Sequence, residues 1–199
     1  MTLHDLHGIA RTDLPVGALR EHLRLNTGFT DDTLQDGVLE SALRAAIAAI
    51  EARTGKVLFA RVFRWVIRAW RNPSRQPLPV APVTEVTTLS VLARNGDVVG
   101  GGLGDVVLVE DAQRPVLAAA VTSLPPIPMH GQVEIGFVAG FSPDWAHMPA
   151  DLRQAVLLLA AYYYEGRGEI AVEDGNMPFG VSGLIGPYRT VRILGGASA

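Results

Sequence analysis

The chain has 199 residues, of which 48% are hydrophobic and 19% charged, and its formal net charge is −3. This length supports one substantial hydrophobic core, or one domain that carries a smaller module. The absence of cysteine excludes disulfides, thiolate metal sites and cysteine nucleophiles. The acidic balance opposes extensive neutralisation of nucleic-acid phosphates, and we expect neither an export signal nor a membrane span.

Two helices are predicted in the first third of the chain. The segment DLPVGALREHLRL is entered through Pro15 and has one apolar face, which predicts a helix near residues 16–25. A second, longer apolar stripe follows the acidic start at Asp31 and stops before a glycine, which predicts a helix near residues 31–54. We therefore assign residues 1–56 to the N-terminal helices of a helical body.

The apolar pattern changes to that of β-strands after Lys56. The segment VLFARVFRWVIRAW predicts a long strand, and Asn95-Gly96 between two apolar runs predicts a hairpin. Further short strands are predicted at residues 106–109, 116–120 and 132–139. Residues 57–141 are therefore predicted to form an inserted antiparallel β module.

A third helix, near residues 149–165, has the strongest helical pattern in the chain. Pro149 suits its first position and the segment is apolar nearly all round, which indicates burial on two sides. The residues expected in the core are Leu152, Val156, Leu159 and Tyr163. We interpret residues 142–168 as the central core helix of the helical body.

Residues 169–199 are predicted to form an irregular C-terminal tail, because glycine and proline interrupt every apolar run. The tail is too apolar to be solvated throughout, so its own domain or a partner should cover it. The candidate partner-docking residues are Met177, Phe179, Leu184, Ile185, Tyr188 and Arg189.

No motif combines the residues that catalysis or metal binding requires. His4 and His7 lack a convincing third ligand, and no partner can be assigned to His22. An acidic group near the end of the third helix fits solvated charge better than a glycosidase pair. Its members are Glu165, Glu169, Glu173 and Asp174. We predict no catalytic, cofactor or metal site.

Arginine and tryptophan side chains in the predicted long strand come nearest to a nucleic-acid surface. They are Arg61, Arg64 and Arg68 with Trp65 and Trp70. An exposed strand face, or salt bridges to a neighbouring subunit, explains them equally well. These alternatives remain open at the level of sequence.

The fold is predicted to be α+β: a small helical bundle with the inserted β module and the irregular tail. Six segments carry a family resemblance through their order and spacing. They are LPVGALREHLRL, EARTGKVL, PLPVAPVTEVTTLSV, VEIGFVAGF, MPADLRQAVLLLAAYYYEGR and MPFGVSGLIGPYRTVRI. In this order they resemble the head-tail connector (adaptor) proteins of tailed bacteriophages, above all those of siphophage prophages and of the gene transfer agents of alphaproteobacteria.

The resemblance implies a non-enzymatic ring component without a cofactor, commonly present in twelve copies in the particle neck. Such a ring is assembled in the bacterial cytoplasm, docks beneath the portal and extends the DNA channel toward the stopper and tail. DNA passes through it without specific binding, and the C-terminal tail reaches the portal. We accordingly expect removal of the residues after Asp174 to leave the domain folded and to prevent assembly.

Two alternatives remain. One is a ligand-binding or carbohydrate-active protein in which Trp65, Trp70 or Trp145 of this chain stacks on a ligand. The other is a different neck or tail-completion protein with a similar helical fold.

Overall fold

A computed structural model describes residues 1–25, 32–166 and 177–189, with the backbone alone for residues 32–34. The described residues form an α+β fold, as predicted. One hydrophobic core lies among the helices and a second lies between two β-sheets. The helices are α1 (Val16–His22), α2 (Asp32–Thr54), α3 (Ala150–Glu165) and α4 (Phe179–Ile185). The strands are β1 (Thr2–Asp5), β2 (Arg61–Ile67), β3 (Arg75–Pro77), β4 (Val83–Leu92), β5 (Val98–Gly100), β6 (Val106–Val109), β7 (Val116–Ala119) and β8 (Gln132–Ala139).

Helices α2 and α3 pack against each other and form the centre of the helical body. Helix α1 contacts both of them, and α4 packs on α3. The apolar stripe of α2 is fully buried and consists of Leu39, Leu43, Ala46 and Ile50. From α3, Leu152, Val156 and Leu159 are buried, whereas Tyr163 is half-buried at the edge of the same core.

The second core lies in the β module, between a five-stranded sheet in the order β1-β2-β8-β4-β5 and a three-stranded sheet in the order β3-β7-β6. Every strand pair is antiparallel. The predicted hairpin joins β4 to β5, and Ala93 N–H donates to the Asp97 carbonyl across it at 2.8 Å. Gly96 has a φ of +90° there, which explains why the turn uses glycine.

The N-terminus and the long strand differ from the predictions. Residues 1–56 were assigned to helices, but Thr2–Asp5 pairs with β2 and so belongs to the sheet. A four-residue strand is too short to show a periodic pattern. The strand expected after Lys56 begins only at Arg61, because the chain first makes isolated bridges from Lys56 to Ala81 and from Phe59 to Ser142.

Residues 177–189 are more regular than the predicted tail. They form α4 and a short 3-10 turn at Gly186–Tyr188. Val181 and Ile185 lie one turn apart and pack into the helical core, which stabilises the helix although it contains Gly180 and Gly183. The remaining residues of the predicted tail, including Glu169, Glu173 and Asp174, lie outside the described residues.

Candidate functional site

The C-terminal segment 177–189 is built onto the helical body. Val181 and Ile185 are each 1% exposed and complete the core beside α3. Met177 and Leu184 are half-buried against the same core. In this conformation Ile185 is therefore inaccessible to a partner, although it was among the predicted docking residues.

Tyr188 fastens the end of this segment to the start of α3. Its hydroxyl donates a hydrogen bond to Asp151 Oδ1 at 2.8 Å, and its ring meets Phe141 edge-on with 5.5 Å between the centroids. Burial, together with the bond to the Asp151 carboxylate, raises the pKa of Tyr188 to about 12. The phenol therefore stays protonated and acts as a donor across the physiological range.

Phe179 stands at the other end of the segment and is 94% exposed. It follows Met177 and Pro178, which lead into α4 without helical structure of their own. Arg189 is also exposed. Of the six predicted docking residues, Phe179 and Arg189 are thus the two that the fold leaves open to a partner.

A loop of the β module, residues 110–115, links this segment to Lys56, two residues after the end of α2. The buried Lys56 ammonium donates to the Gln113 carbonyl at 3.2 Å, and the Gln113 side-chain amide donates to the Pro187 carbonyl at 3.5 Å. Burial lowers the pKa of Lys56, and the nearby Asp111 carboxylate opposes that shift. Sequence reasoning missed this link, since no periodic pattern connects residues so far apart.

Three solved structures of gene transfer agent particles contain chains that closely match this one. A chain in the neck of an empty particle, computed with C6 symmetry, is 49% identical, with a TM-score of 0.88 over 98% of this chain and 99% of that chain. A chain in the virion of the native particle is 48% identical, with a TM-score of 0.86 over 98% and 99% of the two chains. The neck of the native particle, computed with C12 symmetry, contains a chain that is 45% identical, with a TM-score of 0.85 over the same shares.

The chain belongs to this family of gene transfer agent neck proteins. The connector family identified from the six sequence segments, and its place in the neck of a particle, are thereby confirmed. The C6 and C12 symmetries indicate that the related chains form an oligomeric ring in the neck. No protein-family model and no curated protein matches the chain.

In this neck protein the arginines of the long strand mostly serve the fold. Arg61 forms ion pairs with Asp5 and Glu51, both at 2.9 Å, and so joins β1, β2 and α2. Arg64 is exposed and lies 3.7 Å from Glu134 on the neighbouring strand β8. Salt bridges within the chain therefore explain Arg61 and Arg64 without a nucleic-acid ligand.

Arg68 differs from them, because it lines an open cleft of about 650 Å³ together with Arg94 and His130. No carboxylate lines this cleft within the described part of the chain. The cleft lies where β2 ends and β8 begins, and the hairpin between β4 and β5 forms part of its lining. It is a small cationic surface at one end of the five-stranded sheet.

All three tryptophans of the neck protein contribute to its own packing. Trp65 is 1% exposed, Trp70 donates its indole N–H to the Pro125 carbonyl at 2.7 Å, and Trp145 stacks on Phe59 with 6.4 Å between the ring centroids. A stacking platform for sugars needs an accessible aromatic face. Trp65 therefore has no face open to a sugar, whereas the half-buried Trp70 and Trp145 are each held by a contact within the chain.

The described residues offer no group of three His, Asp or Glu side chains arranged to hold a metal ion. Among the same residues, no helix is long and apolar enough to cross a bilayer.

Proposed function

We propose that the chain is the structural head-tail connector of a gene transfer agent or tailed phage. In this role it forms a ring beneath the portal, extends the DNA channel and joins the head to the stopper and tail. The observation that carries the proposal is the match to a neck chain, at 49% identity and over 98% of this chain. A match over the whole length includes both the helical body and the β module.

The proposed ring contains twelve copies, in keeping with the C12 symmetry of the native neck that holds a 45% identical chain. The proposed role is not enzymatic. The residues that sequence analysis considered for ligand stacking are used in packing, and Arg61 is used in internal ion pairs. A ring component also needs contacts with its neighbours. Those contacts must use other surfaces, because these side chains are already engaged within the chain.

The residues proposed to contact the portal are Phe179 at the start of α4 and Arg189 after its end, with the half-buried Met177 and Leu184 between the body and solvent. An exposed aromatic ring on a fixed helix is a typical anchor, since it buries a large area at a low cost in conformational entropy. The Tyr188–Asp151 bond keeps the helix in place on the body. This surface is therefore presented before a partner binds.

DNA is proposed to pass the ring without specific binding. The cationic cleft contains two arginines, Arg68 and Arg94, and contacts to phosphates carry no information on base sequence. The chain as a whole carries a formal net charge of −3, which opposes a tighter hold. Weak contacts of this kind let a duplex slide.

The test is affinity purification of the tagged chain from particle-producing cells, followed by mass spectrometry of the proteins that copurify. We expect the wild type to recover a portal together with neck or tail proteins. Phe179→Ala should lose the portal, whereas Met129→Ala, which removes an 85% exposed side chain from the β module, should recover it. A wild-type chain that recovers no particle protein would refute the connector function. A Phe179→Ala chain that recovers as much portal as the wild type would refute the role of Phe179 as the portal anchor.

Point substitutions are a better test than the truncation after Asp174 that the sequence analysis proposed. Removing the residues after Asp174 would also remove Val181 and Ile185 from the helical core. Unfolding and lost docking would then give the same result, so the expectation that the truncated domain stays folded is not supported by the packing of α4.

A further inference from the structure

A short apolar strand with exposed side chains lies at one edge of the five-stranded sheet. Strand β5 pairs with β4 on one side and is the last strand in the sheet order. Its Val98 and Val99 are 67% and 55% exposed. Proteins guard such edges with short strands, bulges, lysine or proline; β5 is three residues long and its pairing with β4 has a register shift, but it contains neither lysine nor proline.

A groove of about 430 Å³ runs beside this strand. Its floor contains the buried Val91 and Leu124, and its rim contains Val99 and Val121, the latter 88% exposed. The described lining contains one carboxylate, Asp105, and no cationic side chain. Such a lining fits an apolar protein segment and does not fit a phosphate group.

Exposed apolar side chains are concentrated on the β module. The described residues include eleven large hydrophobic side chains that are exposed, and seven of these belong to the β module. An exposed apolar surface of this kind is typical of an interaction site. They are Val98, Val99, Leu103, Val107, Val109, Val121 and Met129.

A cyclic ring explains what covers such a surface. Each copy in a ring has two identical neighbours and touches them through two different surfaces, because head-to-tail contacts generate the ring. The necks that contain the related chains have C6 and C12 symmetry. Every copy therefore requires a surface that accepts a neighbour.

We propose that the β5 edge and its groove, defined by Val98, Val99 and Val121, bind the neighbouring copy of this chain in the neck ring. The inference rests on the proposed connector function and names one of its ring contacts. An apolar segment of the neighbour covers the groove, and its backbone is free to pair with the open side of β5. The contact should depend little on salt, since Asp105 is the single charged side chain in the described lining.

The direct test is photo-crosslinking within assembled particles. Benzoylphenylalanine replaces Val121 in one variant and Met129 in the control, whose side chains are 88% and 85% exposed. The Val121 position should give a chain–chain adduct of twice the 21.2 kDa chain mass, and the Met129 position should give little of it. An adduct with another particle protein, no adduct, or equal homodimer yields from both positions would overturn the proposal.

A second pair of variants separates this inference from the function on which it rests. Val121→Asp should fold like the wild type but should be incorporated into particles at a level reduced at least about tenfold, because a carboxylate would be buried in an apolar contact. The control Val107→Asp alters a 52% exposed residue of β6 and should be incorporated normally. Normal incorporation of Val121→Asp beside a normal wild type would overturn the groove contact alone, whereas particles without the wild-type chain would overturn the connector as well.

Discussion

The helical body and the β module use their apolar residues differently. In the body, the stripes of α2 and α3 face each other and are 0–1% exposed, and α4 adds Val181 and Ile185 to the same core. In the module, a comparable core lies between the two sheets, yet a set of valines faces outward on β5, on β6 and after β7. Each region thus has its own core, but the module also exposes apolar side chains, and we assign those at the β5 edge and Val121 to assembly.

The largest expected effect comes from placing the same charge in the two regions. Leu159→Asp would bury a carboxylate in the helical core, where the leucine is 1% exposed, and should cost more than about 4 kcal/mol of unfolding free energy. Val121→Asp should change it by less than about 0.5 kcal/mol, since that side chain is 88% exposed. Urea unfolding followed by circular dichroism measures both, and similar midpoints for the two variants would contradict the distinction.

The next largest effect is expected where the module joins the body. Gly140 has a φ of +139°, and a Cβ placed there would lie 2.4 Å from the backbone nitrogen of Ala60. Gly140→Ala should therefore destabilise the chain by about 2–3 kcal/mol. Gly104→Ala is the matched control, because nothing lies within 4 Å of its Cβ position. Equal melting temperatures of the two variants would show that the junction tolerates a side chain.

Arg61 and Arg64 allow a buried and an exposed ion pair to be compared, because they lie on the same strand in different surroundings. The Arg61 side chain is 9% exposed between Asp5 and Glu51, whereas that of Arg64 is 48% exposed. Arg61→Met leaves Glu51 half-buried without its arginine and should cost about 2–3 kcal/mol. Arg64→Met should cost less than about 0.5 kcal/mol. Chemical denaturation of both variants measures these costs. An Arg61→Met protein as stable as the wild type would show that the ion pairs of Arg61 do not stabilise the fold.

The smallest effect is expected at Tyr188. Tyr188→Phe loses one hydrogen bond to a carboxylate and should cost about 1 kcal/mol near neutral pH. Because the folded chain raises the pKa of Tyr188 from 10.0 to about 12, the protonated phenol contributes stability below about pH 10, and this contribution is lost as the pH rises toward about 12.

The pH dependence provides the test. Unfolding free energies at about pH 9 and about pH 12 should fall more for the wild type than for Tyr188→Phe, since the variant has no phenol to ionise there. Tyr162→Phe, which alters a 46% exposed tyrosine on α3, serves as the control and should follow the wild type. Parallel pH profiles for wild type and Tyr188→Phe would show that the fold does not raise the pKa of Tyr188.

Local patterns in the sequence were sufficient for the elements whose residues repeat regularly. The stripes of α2 and α3 have the helical period, and Asn95-Gly96 supplies the residues that a tight hairpin requires. The α+β class and the order of its parts follow from these elements. Helix α4 is different, because its two glycines disfavour a helix and packing on α3 overrides them.

The contacts that build the candidate site could not be read from the sequence. Tyr188 and Asp151 are 37 residues apart, and Lys56 and Gln113 are 57 residues apart. Both pairs depend on the way in which the C-terminal segment and the β module meet the helical body. Exposure was equally inaccessible, since the apolar pattern of 177–189 does not distinguish the exposed Phe179 from the buried Ile185.

The most direct measurement is a cryo-electron microscopy reconstruction of the neck of particles made by cells that carry this chain. We predict a ring of this chain directly beneath the portal, with Phe179 against the portal and the groove at Val121 covered by the next copy. A neck in which another protein occupies that position, or a ring of this chain with the groove open to solvent, would contradict the connector function or the proposed ring contact, respectively.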